Sequence, residues 1–143
     1  MTYFLDSSAL VKRYVRERGT ATVATLVRRR RPLAASRLAA VEVPAALWRR
    51  CRERDVDAER VSAALARFGH DLAAMTLVEV RPGLVDDAQR LVEVHPLRAY
   101  DAVQLASALR LDRDAGLPTT FVCADGPLAT AAGAEGLRTL VLG

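Results

Sequence analysis

Cysteine and aromatic residues are scarce in this sequence, and their scarcity excludes several kinds of protein. The 143 residues include two cysteines, Cys51 in an arginine-rich segment and Cys123 in a Phe-Val-Cys run. Neither has the spacing of a zinc site or belongs to a disulfide framework, so we expect two free thiols in a reducing cytoplasm. Aromatic residues make up only 5% of the chain, which predicts an aliphatic core and few surfaces on which nucleic-acid bases can stack.

Long apolar runs and a basic leader segment are also missing. No stretch reaches the roughly 18 consecutive apolar residues of a membrane span, and Asp6 interrupts the first apolar run. We therefore expect a cytoplasmic protein with neither a signal peptide nor a membrane contact. Lysine is nearly absent, because Lys12 is the only one in the chain. The net charge is nevertheless +4, which suits an anionic partner.

Short apolar segments alternate with amphipathic segments along the whole chain. The apolar segments predict strands at residues 2–5, 33–35, 76–80, 120–123 and 139–142. Helical spacing of apolar residues is found between them, at residues 8–16, 20–30, 38–54, 58–75, 84–95, 97–112 and 126–134. Apolar strands that alternate with helices are typical of a parallel sheet covered on both faces. We predict one domain over residues 1–143 with an α/β fold, a three-layer α/β/α sandwich around a central parallel sheet.

Local signals refine two of the predicted helices. Ser36 precedes the third helix and is expected to be its N-cap, and Asp57 is expected to cap the fourth. Pro44 lies inside the third helix and removes one backbone hydrogen bond, which predicts a kink near residues 40–42.

Four carboxylates stand where acidic residues are costly. Asp6 and Asp125 follow predicted strands, whereas Glu42 and Asp101 interrupt otherwise apolar helical segments. Acidic side chains are rarely buried unless they are paired or bound to a metal.

Each of these acids also has an ordinary explanation. The two acids that follow strands are suited to cap the helices after them. The two acids inside helices have Arg37 and Arg98 as available ion-pair partners, although a buried ion pair stabilises a fold only weakly.

A parallel sheet supplies one reason that covers all four acids. The carboxyl ends of its strands meet at one edge, where the following helices begin and where ligands usually bind. Carboxylates gathered there repel one another unless a cation neutralises them. Mg²⁺ or Mn²⁺, which prefer oxygen ligands, fit better than zinc, because no histidine or cysteine accompanies the acids. His70 and His95 are interpreted as ordinary surface or turn residues.

Four segments in a fixed order carry a resemblance to a known family. They are Phe-Leu-Asp-Ser-Ser-Ala-Leu-Val-Lys at 4–12, Ala-Ala-Val-Glu-Val at 39–43, Leu-Arg-Ala-Tyr-Asp-Ala-Val-Gln-Leu-Ala at 97–106 and Phe-Val-Cys-Ala-Asp-Gly-Pro-Leu-Ala at 121–129. The sequence resembles PIN-domain proteins, and among them the VapC-type toxins of bacterial toxin–antitoxin pairs. The resemblance implies a parallel sheet, an acidic pocket and metal-dependent ribonuclease activity.

The resemblance also assigns roles to individual residues. It implies that the catalytic acids are Asp6, Glu42, Asp101 and Asp125. The small hydroxyl that supports the first acid falls on Ser8, with Ser7 as its neighbour. Two positions depart from the family pattern: Gly126 and Pro127 stand where a basic residue often follows the fourth acid, and Pro44 follows the second acid.

The same resemblance implies a reaction and a set of partners. One or two Mg²⁺ or Mn²⁺ ions held by Asp6 and Asp101 would serve the hydrolysis of RNA phosphodiester bonds, with transfer RNA or a ribosomal RNA loop as the substrate. A VapB-type antitoxin is expected to cover the acids from a groove formed by the apolar residues at 10–15, 23–27 and 61–72, and the protein is expected to be a homodimer. Arginines at 28–31 and 49–54 are either phosphate contacts or solvated helix ends.

Two other functions remain as alternatives. A phosphatase with an aspartyl nucleophile at Asp6 usually needs an acid two residues later, where this chain has Ser8, and a matching lysine is also missing. A degenerate module that binds RNA or an antitoxin without turnover is disfavoured by the presence of all four acids.

Overall fold

The computed structural model describes residues 1–143. The strands are β1 (Thr2–Leu5), β2 (Leu33–Ser36), β3 (Thr76–Val78), β4 (Thr119–Cys123) and β5 (Arg138–Val141). The helices are α1 (Ser7–Val11), α2 (Thr20–Arg28), α3 (Ala39–Arg52), α4 (Ala58–Ala73), α5 (Pro82–Val94), α6 (Ala99–Leu109) and α7 (Gly126–Ala134). A single π-helical turn, Arg110–Asp114, extends α6.

All five strands form one parallel sheet in the order β3-β2-β1-β4-β5. The predicted three-layer α/β fold is therefore confirmed. The chain proceeds outward from β1 to β3 and then returns to the other side of β1 with β4, so the strand order reverses between β1 and β4. In open α/β sheets such a switch point opens a crevice at the carboxyl ends of the strands. Asp6 directly follows β1, and Asp125 follows β4 after one intervening residue, Ala124.

Two hydrophobic layers cover the two faces of the sheet, because successive side chains of a strand point to opposite faces. Phe4 packs with α5, α6 and α7 on one face, and its ring stacks on that of Phe121 with centroids 5.8 Å apart. Leu5, the next residue, packs with α1 to α4 on the other face. Phe4 and Leu5 are both fully buried, so the end of β1, directly before Asp6, lies in the middle of the core.

The apolar residues expected to form a partner groove lie inside the second layer instead. Leu10, Val15, Val23 and Val61 are all buried in the core cluster that covers this face of the sheet. The prediction of a groove from these side chains was therefore wrong. The helical spacing that suggested an exposed apolar stripe marks the face that each helix packs against the sheet.

Several element boundaries differ from the prediction. Helix α1 ends at Val11, because the next backbone N–H groups bond to carbonyls three residues back rather than four. Helix α2 ends at Arg28, and Arg30 adopts a left-handed backbone with φ of 52°. Ser36 ends β2, and its Oγ accepts a hydrogen bond from the Leu38 N–H (3.1 Å) in the turn before α3. The prediction that Ser36 caps α3 was therefore wrong, since the cap residue is Leu38.

The residues after α1 are attached to α4 by a polar cluster. Asp71 accepts hydrogen bonds from Arg13 Nε (2.7 Å) and from the Tyr14 hydroxyl (2.6 Å). Partial burial raises the pKa of Asp71, but the hydrogen bonds from Arg13 and Tyr14 outweigh this effect and lower the pKa below its ordinary value.

The predicted cap of α4 is confirmed, because Asp57 accepts a hydrogen bond from the Arg60 N–H at 2.8 Å. None of the helices combines the length and apolar character that crossing a membrane requires.

Candidate active site

All four acids predicted from the sequence line one cavity of about 110 Å³ at the carboxyl edge of the sheet. The cavity lies at the switch point between β1 and β4, where Asp6 and Asp125 follow their strands. Its lining consists of Asp6, Ser7, Ser8, Glu42, Tyr100, Asp101, Gln104 and Asp125. Residues far apart in the chain therefore meet at the place that the parallel topology predicts.

Asp6 is the most deeply buried of the four acids. It is 4% exposed and caps α1 with an extended backbone. Its Oδ1 accepts hydrogen bonds from the Ala9 N–H and from Ser8 Oγ, both at 2.8 Å. The helix-cap alternative is thus realised, and Ser8 occupies the supporting position. Oδ2 receives no hydrogen bond from the chain and remains available for a ligand.

Glu42 is held by uncharged donors. Ser7 Oγ donates to Glu42 Oε1 at 3.1 Å, and Gln104 Nε2 donates to the same oxygen at 2.8 Å. Gln104 Nε2 also donates to Ser7 Oγ at 2.9 Å. Ser7 therefore supports the second acid rather than the first, and the three side chains form one network.

Sequence reasoning missed Gln104. The side chain is 1% exposed, and its Oε1 is the only buried side-chain polar atom without a hydrogen-bond partner. A signal was present, because Gln104 is an amide within the apolar run Ala-Val-Gln-Leu-Ala. It stands three residues after Asp101, and this spacing places both on the same face of α6.

The remaining two acids differ in how they are held. Asp125 caps α7, and its Oδ1 accepts a hydrogen bond from the Leu128 N–H at 3.0 Å. Asp101 lies in the first turn of α6 and accepts no hydrogen bond from the chain. Its two oxygens thus have no structural task that accounts for an acid at this position.

The arginines that offered an ordinary explanation have other partners. Arg37 binds Glu79 outside the cavity, with Nη2 2.5 Å from Oε1. Arg98 Nη1 donates to the Tyr100 hydroxyl at 3.0 Å. No acid of the cavity forms a salt bridge, so the buried ion-pair alternative is not realised.

Burial and mutual repulsion raise the pKa values of two carboxyl groups in the cavity, those of Asp6 and Asp101. Burial raises the pKa of Asp6 to about 6, and the carboxylates of Asp101 and Glu42 contribute to the rise. The hydrogen bonds that Asp6 accepts oppose it without cancelling it. Burial also raises the pKa of Asp101, again with help from a neighbouring carboxylate, Asp125, while Arg98 opposes the rise. A bound cation would relieve both the desolvation and the repulsion.

The donor atoms fit a hard divalent cation. They are carboxylate and hydroxyl oxygens, whereas Cys123 is a buried thiol whose pKa is raised by burial to about 12, so that it stays protonated. His95 bonds to Glu135 outside the cavity. No three acidic, histidine or cysteine side chains stand close enough to form a complete cage by themselves. Mg²⁺ is usually held by one or two carboxylates and keeps several waters, so the oxygens of Asp6 and Asp101 that accept no hydrogen bond are suitable ligands for it.

Comparisons with known proteins agree on one family. A profile described as the PIN domain matches residues 3–115. Ribonuclease VapC45 of Mycobacterium tuberculosis (strain CDC 1551 / Oshkosh) is 36% identical over 138 residues, which cover 96% of this chain and 93% of that protein. Ribonuclease VapC46 of the H37Rv strain is 34% identical over 118 residues, or 82% of each chain. The crystal structure of PAE2754 from Pyrobaculum aerophilum superposes with a TM-score of 0.67 at 25% identity and covers 97% of this chain and 83% of that one.

Proposed function

This chain belongs to the PIN-domain family and to its VapC-type branch, and we propose that it is a metal-dependent endoribonuclease acting as the toxin of a toxin–antitoxin pair. The observation that carries the proposal is the convergence of four carboxylates, from four separate segments, on one cavity without a basic partner. Such a cavity repels a phosphate that enters it unless a cation is bound, so we assign the acids to metal binding rather than to stability.

The proposed site residues divide into ligands and supports. Asp6 and Asp101 would hold Mg²⁺ or Mn²⁺ through their uncommitted oxygens, and Glu42 and Asp125 would complete the acidic wall. The bound cation would lower the pKa of an attacking water and offset charge on the phosphate.

The contribution of the chain itself is to hold these oxygens in place. Asp6 is clamped at one oxygen by the Ala9 N–H and by Ser8, so its other oxygen keeps a fixed direction. Glu42 is oriented through a single oxygen by Ser7 and Gln104. Uncharged donors position a carboxylate without placing an opposing positive charge beside it.

The substrate and partners are also part of this proposal. An RNA substrate fits the net charge of +4 and the names of the ribonuclease relatives, and we propose that the protein acts in the cytoplasm. We propose transfer RNA or a ribosomal RNA loop as the target, a VapB-type antitoxin as the protein partner, and a homodimer of single-domain chains as the assembly.

Cleavage of total RNA tests the proposal. The purified protein is incubated with RNA in Mg²⁺, Mn²⁺ or EDTA, next to Asp101→Asn and the control Glu93→Gln, which removes an exposed acid outside the cavity. We expect discrete fragments with wild type and control in either metal, and none with EDTA or Asp101→Asn. Cleavage that persists in EDTA would refute metal dependence, and RNA binding without cleavage in any metal would favour the degenerate binding module.

A further inference from the structure

Tyr100 is the only exposed aromatic side chain of the protein. The chain has three phenylalanines, three tyrosines and one tryptophan, and the other six are buried or half-buried. Tyr100 is 45% exposed and lies on the lip of the acidic cavity. Arg98 donates to its hydroxyl at 3.0 Å and thereby restrains the ring. A protein that buries its other aromatic rings presents this one beside the proposed site of cleavage.

A groove between α1 and α3 continues from the acidic cavity. The cavity and the groove share Ser7, Ser8, Glu42 and Tyr100 as lining residues. The groove then continues between the two helices over small apolar side chains. These are Val11, Ala45 and Ala46. The α1–α3 groove is therefore an open path that begins at the acids and passes the ring of Tyr100.

One cation along the α1–α3 groove has no partner in the chain. Lys12 and Arg50, at its far end, both bind Glu17, the lysine at 3.0 Å. Arg49 lines the groove throughout and forms neither a salt bridge nor a side-chain hydrogen bond. It is seven residues after Glu42 on α3, a distance of about 10 Å at 1.5 Å per residue. A stacked RNA strand covers that distance in roughly three nucleotides at 3.4 Å each.

We propose that an RNA strand leaves the acidic cavity along the α1–α3 groove, stacks a base on Tyr100 and places a phosphate on Arg49. This proposal rests on the proposed ribonuclease function. It adds the path that the RNA follows on the protein and the two groups that contact its base and its phosphate. An exposed ring beside the acids and a free guanidinium farther along match a polymer that alternates bases with phosphates. Stacking on Tyr100 would add affinity and a modest nucleotide preference that follows stacking strength, whereas the phosphate contact would add affinity without preference.

Binding measurements without cleavage test each contact separately. The probe is a pool of random 14-nucleotide single-stranded RNAs, bound in EDTA at several salt concentrations, with the bound fraction sequenced. Arg49→Gln is expected to weaken binding and lower the slope of log Kd against log salt concentration by about 0.7, the value for one phosphate on a single strand. Arg49→Lys should keep the slope. The control Arg138→Gln makes the same charge change at the opposite edge of the sheet and should leave the slope unchanged.

Tyr100 calls for a different pair of variants. Tyr100→Leu removes the ring and is expected to weaken binding about tenfold and flatten the nucleotide preference, with no change in salt slope. Tyr100→Phe keeps the ring and should retain both affinity and preference. Equal affinity, slope and preference in wild type, Arg49→Gln and Tyr100→Leu would overturn the proposal and favour a protein occupant of the groove.

The proposed ribonuclease function can fail independently of this path. The binding readouts need no metal and no turnover, so they hold whether or not RNA is cleaved in Mg²⁺. A chain that binds through Tyr100 and Arg49 without cleaving RNA would refute the ribonuclease function alone. Cleavage with unchanged binding in both variants would refute only the path.

Discussion

Gln104 Nε2 lies 2.8 Å from Glu42 Oε1 and joins two helices that cover opposite faces of the sheet. Glu42 belongs to α3 and Gln104 to α6. Ser7 donates to the same oxygen from α1. The direction of this carboxylate is therefore determined by the packing of helices from both faces of the sheet.

We predict that Gln104→Leu lowers kcat/KM by about 10- to 100-fold, as loss of a residue that orients a metal-site acid typically does. The substitution removes a donor but keeps the volume of a buried side chain, so the free energy of unfolding should change by no more than about 1 kcal/mol. Steady-state cleavage and urea unfolding measure the two quantities. Ser7→Ala is the partner variant. Because both residues bond to one oxygen, the double variant should lose less than the product of the two single losses, and independent effects would contradict this shared role.

Asp6→Asn should stabilise the metal-free protein at pH 8 while it abolishes cleavage. The pKa of Asp6 is raised from 3.8 to about 6, so the folded state is penalised when the group ionises at a pH above 6. Removing that charge should raise the free energy of unfolding by up to about 3 kcal/mol at pH 8. Asparagine keeps the cap on α1, since it is an equally good N-cap residue.

The gain from Asp6→Asn should fade as the pH falls. Below pH 6 the wild-type carboxyl takes up a proton in the folded state, and near pH 4 it does so in the unfolded state as well. Denaturant unfolding at pH 8 and pH 4 measures the difference. A gain of the same size at both pH values would contradict the buried charge as its cause.

Asp71→Asn should lower the free energy of unfolding at neutral pH, the opposite of the effect expected for Asp6→Asn. Asp71 joins the residues after α1 to α4 through Arg13 and Tyr14, and loss of a charged hydrogen-bonded partner costs about 1–3 kcal/mol. Its pKa is lowered in the folded state, so this contribution is present above the ordinary value near 4 and is lost as the pH falls through the lowered pKa. Thermal unfolding at pH 7 and pH 2.5 checks both statements. Tyr14→Phe, which leaves the Arg13 contact in place, should cost less.

Mg²⁺ should raise the melting temperature of wild type but not of Asp6→Asn or Asp101→Asn. A ligand that binds only the folded state adds about 2.7 kcal/mol at a hundredfold excess over Kd, which corresponds to a shift of roughly 5–10 °C for a chain of this size. EDTA should reverse the shift. Equal shifts in wild type and both variants would place the binding of the ion outside the cavity.

Local patterns in the sequence determined much of this protein. The alternation of apolar and amphipathic segments predicted the sheet and its helices, because burial imposes periods of two and 3.6 residues on neighbours in the chain. The parallel topology then predicted that Asp6, Glu42, Asp101 and Asp125 share one edge. The helix-capping roles of Asp6 and Asp125 could also be anticipated from the sequence, since a cap residue bonds to a backbone N–H only three residues away.

Only the tertiary structure decided which side chains serve each acid and which surfaces are free. Ser7 supports Glu42 rather than Asp6. Gln104 donates to both Ser7 and Glu42, although it lies 97 and 62 residues from them in the chain. The apolar helix faces expected to hold a partner became core, and Arg49 stayed unpaired while Arg50 found Glu17. Periodicity identifies which face of a helix is apolar, but contacts across such separations depend on how the layers pack. Their physical basis lies in the assembled fold, where distant segments meet within hydrogen-bond distance.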